Sequence, residues 1–118
     1  MNIEVAKYAT SELERFNEEE NTALAENKKS FDEVSDRLSK EWNELKILLD
    51  NEKDSKKQRE ILDKMLDNTK EYMEAHREWQ QEVLDIMAKH RQQIEDLLKE
   101  INPTIYKIYS KFTKRRRA

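Results

Sequence analysis

His76 and His90 are the two histidines of the chain, and both stand where an imidazole could do chemistry, two heptads apart on one row of a helical pattern. Helical bundles that hold two metal ions use a Glu-x-x-His step, which turns a carboxylate and an imidazole toward one ion. Here the residue three before each histidine is Met73 or Met87. A zinc site asks for His-x-x-x-His or cysteines, and the chain has no cysteine. Along a single helix the two imidazoles lie about 21 Å apart. No metal ligand and no cofactor is expected. In an apolar helix row the two rings read as structural polar groups, or as a contact that protonation at about pH 6 would loosen.

Other catalytic sets are equally thin. The 26 Asp and Glu are interleaved with 23 Lys and Arg, mostly at spacings that form pairs along one helix, so paired carboxylates carry no signal. The serines are scattered, and neither histidine has a nucleophile setting. A chain without glycine also lacks phosphate-cradling loops and strained strand-to-helix elbows. A slim helical hairpin has no concave pocket of its own. The expectation is a non-catalytic protein without a small-molecule substrate.

The stretch that could bind something is the end, NPTIYKIYSKFTKRRRA. Residues 101–118 hold six cations and no acid, whereas the first hundred hold all 26 acids and 17 cations. Tyr106, Tyr109 and Phe112 alternate with cations, among them Lys111, Lys114, Arg115, Arg116 and Arg117. Such rings can stack on bases, or set an apolar turn in a protein groove or membrane interface. An acidic body repels nucleic acid away from the tail, and six cations give a salt-sensitive affinity. Docking onto an acidic protein surface is the leading expectation, nucleic acid the second.

Charged residues make up 42% of the chain and hydrophobic types 36%, with no glycine and one proline, Pro103. Sheets and tight turns lean on glycine, so the fold class is all-α. Apolar runs stop at three residues, as in Ile47-Leu48-Leu49, and no membrane span is expected. The opening MNIEVAKYATSELERF has no basic-then-apolar leader. With the absence of cysteine, that reads as cytoplasmic.

Ser11-x-x-Glu14 offers a helix start by a capping box. Residues 17–30 are helical by propensity but carry Leu24 as their one large apolar residue. From Phe31 the stripe revives through Val34, Leu38, Trp42, Leu45, Leu48 and Leu49 at helical spacing. Residues 50–60 have no apolar residue and form the turn, with Ser55-x-x-Gln58 as the next capping box. Positions 62, 65, 69, 72, 76, 79, 83, 86, 90, 93 and 97 then keep a heptad frame, widened by Leu66, Met73, Met87 and Ile94. Asn102-Pro103 ends that helix. The expected architecture is an elongated, coiled-coil-like antiparallel helical hairpin over residues 1–101, turning near 50–56. A short basic amphipathic helix follows in 102–118, and oligomerisation completes the bundle.

A hairpin turning near residue 53 pairs position i with about 106 − i. Leu45 then meets Leu62, Leu38 lies near Thr69 and Val34 meets Tyr72. Farther out, the apolar-poor 17–30 faces 76–89, where each large apolar side chain is worth about 1.5–3 kcal/mol on burial. Tyr72, His76, Trp79, Val83, Ile86, Met87 and His90 are therefore the expected partner-binding stripe. Its occupant is a second copy in a homodimer, or a helix of another protein.

Two family resemblances follow from this layout. A hairpin of about a hundred residues with Trp42 before the turn resembles the WXG family of small type VII secretion substrates and partners. Trp42-Asn43-Glu44 stands in place of Trp-x-Gly, and Tyr72 is followed four on by His76 where that family's export signal has an acid. A charged helical rod with a basic end is also similar to small bacteriophage scaffolding proteins, which dock that end on coat subunits. The resemblances imply a secreted helical partner in the first case and an assembly factor in the second. The residues themselves point to a protein–protein interaction module: an adaptor, scaffold, accessory factor or inhibitor.

Overall fold

A computed structural model of the chain describes residues 3–104, 106–108 and 110–111. Helix α1 spans Ile3–Asn51 and helix α2 spans Ser55–Ile101. The two form an all-α helical hairpin, and no strand occurs among the described residues. The expected helix start at Ser11 is corrected: α1 already begins at Ile3, and Ser11 lies in its interior. Glu4, Ala6, Lys7 and Ala9 are good helix formers, and Glu4 in the first turn complements the helix dipole. Thr10 returns its hydroxyl to the Ala6 carbonyl at 2.8 Å, so its side chain does not compete with the helix bonds.

Residues 52–54 make the turn without glycine, and no described residue has a positive φ. Side chains close it instead. The Glu52 N–H bonds the Leu49 carbonyl at 3.2 Å, tightening the end of α1. The Glu52 carboxylate accepts the Asp54 N–H at 3.1 Å, and the Gln58 amide donates to the Glu52 carbonyl at 2.8 Å. Asp54, not Ser55, takes the N-cap position: its carbonyl accepts the first bond of α2, from the Gln58 N–H at 2.9 Å.

Two compact units divide the chain, one of Ala25–Val83 and one of Met1–Leu24 with Leu84–Ala118. In the first, which holds the turn, Leu38 is 2% exposed, and Leu45 and Met65 are buried beside two asparagines, Asn27 and Asn68. Each asparagine donates its Nδ2 across the seam to a main-chain carbonyl. Asn68 reaches Leu38 O at 2.9 Å and Asn27 reaches Trp79 O at 3.3 Å. Both bonds join residue numbers that sum to 106. One asparagine from each helix thus reports the same register, and a buried amide satisfied in only one alignment is a register-specifying device.

At this level the seam departs from the expected heptad frame at two positions, while Met65 keeps its expected place. Ile61, Met65 and Asn68 turn inward, while Leu62 and Thr69 are exposed. Leu38 accordingly meets Asn68 rather than Thr69. An asparagine amide can reach a facing carbonyl. The Thr69 hydroxyl bonds its own helix, at Met65 O, 3.1 Å away.

Among the described residues of the second unit, Ala9, Phe16 and Leu97 are buried. The Arg15 guanidinium lies 5.0 Å over the Phe16 ring and bonds Glu12 and Glu19. At Asn102 the helix breaks as the proline requires. The Asn102 N–H still bonds Leu98 O at 2.8 Å, and its carbonyl accepts the Tyr106 N–H at 3.0 Å. Pro103 then stands in the first turn of a third, short helical segment, where its missing N–H costs nothing. No helix among the described residues is long and apolar enough to cross a membrane.

Candidate interaction surface

Trp79 carries the largest burial gain expected from the sequence stripe, and the structure corrects its expected exposure. The ring is half-buried and stacks on Phe31, with centroids 5.0 Å apart and planes inclined by 19°. By register Trp79 is level with Asn27, not with Phe31. Helical side chains lean toward their own N-terminus. In antiparallel helices that lean carries Phe31 toward the level of Asn27 and Trp79 toward the level of Phe31, so the two rings meet between. His76 completes the cluster, 5.8 Å from Phe31 and 5.6 Å from Trp79. Tyr72 closes it at 5.9 Å from Phe31 while staying exposed.

The other expected partner-binding residues divide between the two units. Val83, in the turn unit, is half-buried. In the second unit Ile86 and His90 are half-buried, and Met87 is exposed. His90 faces oxygen on both sides, with Nε2 at 2.9 Å from Asn17 Oδ1 and Nδ1 at 3.3 Å from Glu20 Oε2. When protonated, the ring makes an ion pair with Glu20, so its charge meets a partner rather than an apolar wall. Three residues on, Gln93 donates to Glu19 at 2.9 Å. That bond, ahead of the nearby Arg15, holds the Glu19 carboxyl below the usual carboxylate range. Of the basic segment, Tyr106 is half-buried with the Lys99 ammonium 5.6 Å over its ring, and Lys111 is exposed. Tyr109, Phe112, Lys114, Arg115, Arg116 and Arg117 lie outside the described residues.

What the turn unit does expose is a different row. Trp42, Leu62, Leu66, Tyr72 and Met73 all remain exposed, Leu66 at 59% and Met73 at 56%. On α2 the spacing of 62, 66, 69, 73 and 76 places these residues on one flank of the seam. Trp42 comes from α1 to the same flank. It lines an open groove of about 430 Å³ together with Ser39, Asn43, Asn68, Thr69 and Tyr72. A second, smaller groove of about 300 Å³ continues along Tyr72, Met73, His76, Arg77 and Gln80. On the opposite flank the helices are tied by Arg37 to Glu71, a 2.5 Å contact between exposed partners. That contact raises the arginine pKa, chiefly through the hydrogen bond itself. The flank of Trp42 is therefore an open apolar row, while that of Arg37 is bridged by an ion pair and exposes Leu48 nearer the turn.

Sequence reasoning placed Leu62 in the seam and Leu66 and Met73 at its edge, and counted Trp42 among the buried face. Leu66 and Met73 were the available signal, because apolar residues beyond the a and d rows widen a stripe past what one partner helix covers.

Comparison with protein-family models, with curated proteins and with solved structures finds no match to this chain. Among the described residues no group of three or more His, Asp or Glu is placed to hold a metal ion. The functional reading rests on the surface.

Proposed function

We propose that this chain is a non-catalytic protein–protein interaction module, an adaptor, assembly factor or inhibitor that binds helical partners, its own copies included. The observation that carries the reading is the apolar flank of the turn unit, where Trp42, Leu62, Leu66, Tyr72 and Met73 stay exposed in one row. Monomeric surfaces scatter their apolar residues singly, and a contiguous row rimmed by charge marks an association site. A helix laid in the Trp42–Tyr72 groove would bury such a row at the spacing that helix-in-groove recognition uses. Trp79, packed against Phe31 and His76, supports this face from behind.

The test is retention of partners from the native source on the immobilised 118-residue chain, compared with Leu66→Glu/Met73→Glu and with a chain lacking residues 104–118. The expected result is a set of proteins lost with L66E/M73E. Equal retention by the variant and the parent overturns the reading. A second reading rests on the tail, whose six cations stand without an acid among residues 101–118: binding of nucleic acid. Affinity for random DNA that falls steeply with salt, and vanishes with the tail, would favour it.

A further inference from the structure

We propose that the occupant of the apolar flank of Ala25–Val83 is a second copy of this chain, related by a two-fold axis parallel to α1 and α2. The proposal rests on the interaction-module reading above and names its partner. Its argument is the charge on the two rims of the flank. The α1 rim, on the two helical rows beyond Trp42, carries Asp32, Asp36 and Asp50 with two lysines, Lys29 and Lys46. The α2 rim, on the row of Leu66 and Met73 and the one beyond it, carries Lys56, Arg59, Lys70 and Arg77 with one acid, Asp63. All ten are exposed. The flank is thus basic along the α2 edge, apolar in the middle and more acidic than basic along the α1 edge.

Such a surface is complementary to itself in one orientation. A two-fold axis parallel to the helices lays α1 of one copy over α2 of the other at the same level, acidic edge on basic edge. An axis across the helices lays α2 on α2, base on base. Both axes leave every neighbouring helix pair antiparallel, as in an up-down-up-down four-helix bundle, so the charge on the edges decides between them.

The register sharpens the match. Within the chain, side-chain contacts between the helices of this unit join residues whose numbers sum to between 103 and 110, on either side of the main-chain register of 106. Arg37 with Glu71 sums to 108 and Phe31 with Trp79 to 110, because both side chains lean toward their own N-termini. Across the proposed axis Asp32 faces the other copy's Arg77, Lys46 its Asp63 and Asp50 its Arg59, each summing to 109. Asp36 faces Lys70 at 106. Four opposite-charge pairs fall at workable offsets, and two-fold symmetry doubles each.

The apolar row is of a size to match. Its five side chains leave on the order of 400 Å² exposed per copy, within the range of functional patches, and the charged rims carry the contact toward about 800 Å² per partner.

The test is sedimentation equilibrium of the full chain from about 1 to about 100 µM at low salt, with helicity by circular dichroism as the folding control. The expected result is a monomer–dimer equilibrium. Asp36→Lys and Lys70→Asp should each weaken it about tenfold or more, the D36K/K70D double variant should recover most of the loss, and added salt should shrink all three differences. A wild-type chain that stays monomeric overturns the second-copy proposal and leaves the interaction reading to the retention experiment. A dimer indifferent to both charge reversals overturns this orientation. A dimer that also ignores L66E/M73E overturns the use of this flank altogether.

Discussion

Asn68 on α2 donates from Nδ2 to the main-chain carbonyl of Leu38 on α1 at 2.9 Å, and its remaining proton reaches Glu41 Oε1 at 3.1 Å. The asparagine is 5% exposed, and Leu38 is the most deeply buried large side chain among the described residues. A polar amide thus sits against the tightest apolar packing in the turn unit, with each of its donors satisfied. A carbonyl inside a helix already accepts one helical bond, and the amide uses its second lone pair. Slip the helices by one residue and the amide loses that acceptor while staying buried.

Asn68→Ala should therefore cost about 1–2 kcal/mol, the sum of lost hydrogen bonds and an unfilled space, read as a lower thermal midpoint by circular dichroism. Asn68→Leu should melt near or above the parent, since a packed apolar residue replaces a buried polar one. Register is then the property that suffers: oxidative cross-linking of R37C/E71C should be efficient in the parent background and drop with N68L. Equal yields would remove the register role.

Phe31→Ala should uncover Trp79. In a Trp42→Phe background, where Trp79 is the sole tryptophan, the emission of the parent should be blue-shifted and that of F31A should move toward water-exposed indole. The loss in stability should be about 2 kcal/mol, below the range for a fully buried phenylalanine because Phe31 is half-buried. Emission unchanged by F31A would show that something other than Phe31 shields the indole.

Leu66→Glu and Met73→Glu should leave the thermal midpoint within about 0.5 kcal/mol of the parent, as expected for exposed positions. Val83→Glu, at a half-buried position of the same helix, should destabilise markedly. Stability measured by urea titration separates the two classes. Large destabilisation by M73E would place that side chain in the core of the monomer.

Two carboxylate contacts give the stability–pH curve its expected limbs. The hydrogen bond from Gln93 and the nearby Arg15 lower the Glu19 pKa. Its contribution is present above the ordinary carboxylate range and fades as the pH falls through the lowered folded value. Glu19→Gln should flatten the acid limb. The Tyr8 phenol, 3.3 Å from Glu100, has its pKa raised, first by the charge of that carboxylate. Its contribution is present below the ordinary tyrosine range and is lost as the pH rises beyond it, so Tyr8→Phe should flatten the alkaline limb. Unfolding midpoints measured across both limbs, with and without each substitution, decide the assignment.

Much of this molecule was legible before any coordinates. A glycine-free chain with three- and four-residue apolar spacing has little choice but long helices, and a charged stretch at 50–60 with nothing to bury has to turn. The position of that turn also sets the pairing level, which is why the register of 106 could be read from residue numbers alone. Tertiary structure decided which residues are covered. Whether Leu62 or Ile61, Thr69 or Asn68, points inward is a local choice between neighbouring rows around Met65, which faces the seam either way, and a heptad count does not make it. The cross-seam amide of Asn68 does. Whether Trp79 is wet depends on the lean of Phe31 along its helix, a displacement of a turn that no pairing of positions contains. Apolar periodicity determines that two helices must meet. The directions of individual side chains, set by the helix they leave and the partner they find, determine what remains for others to bind.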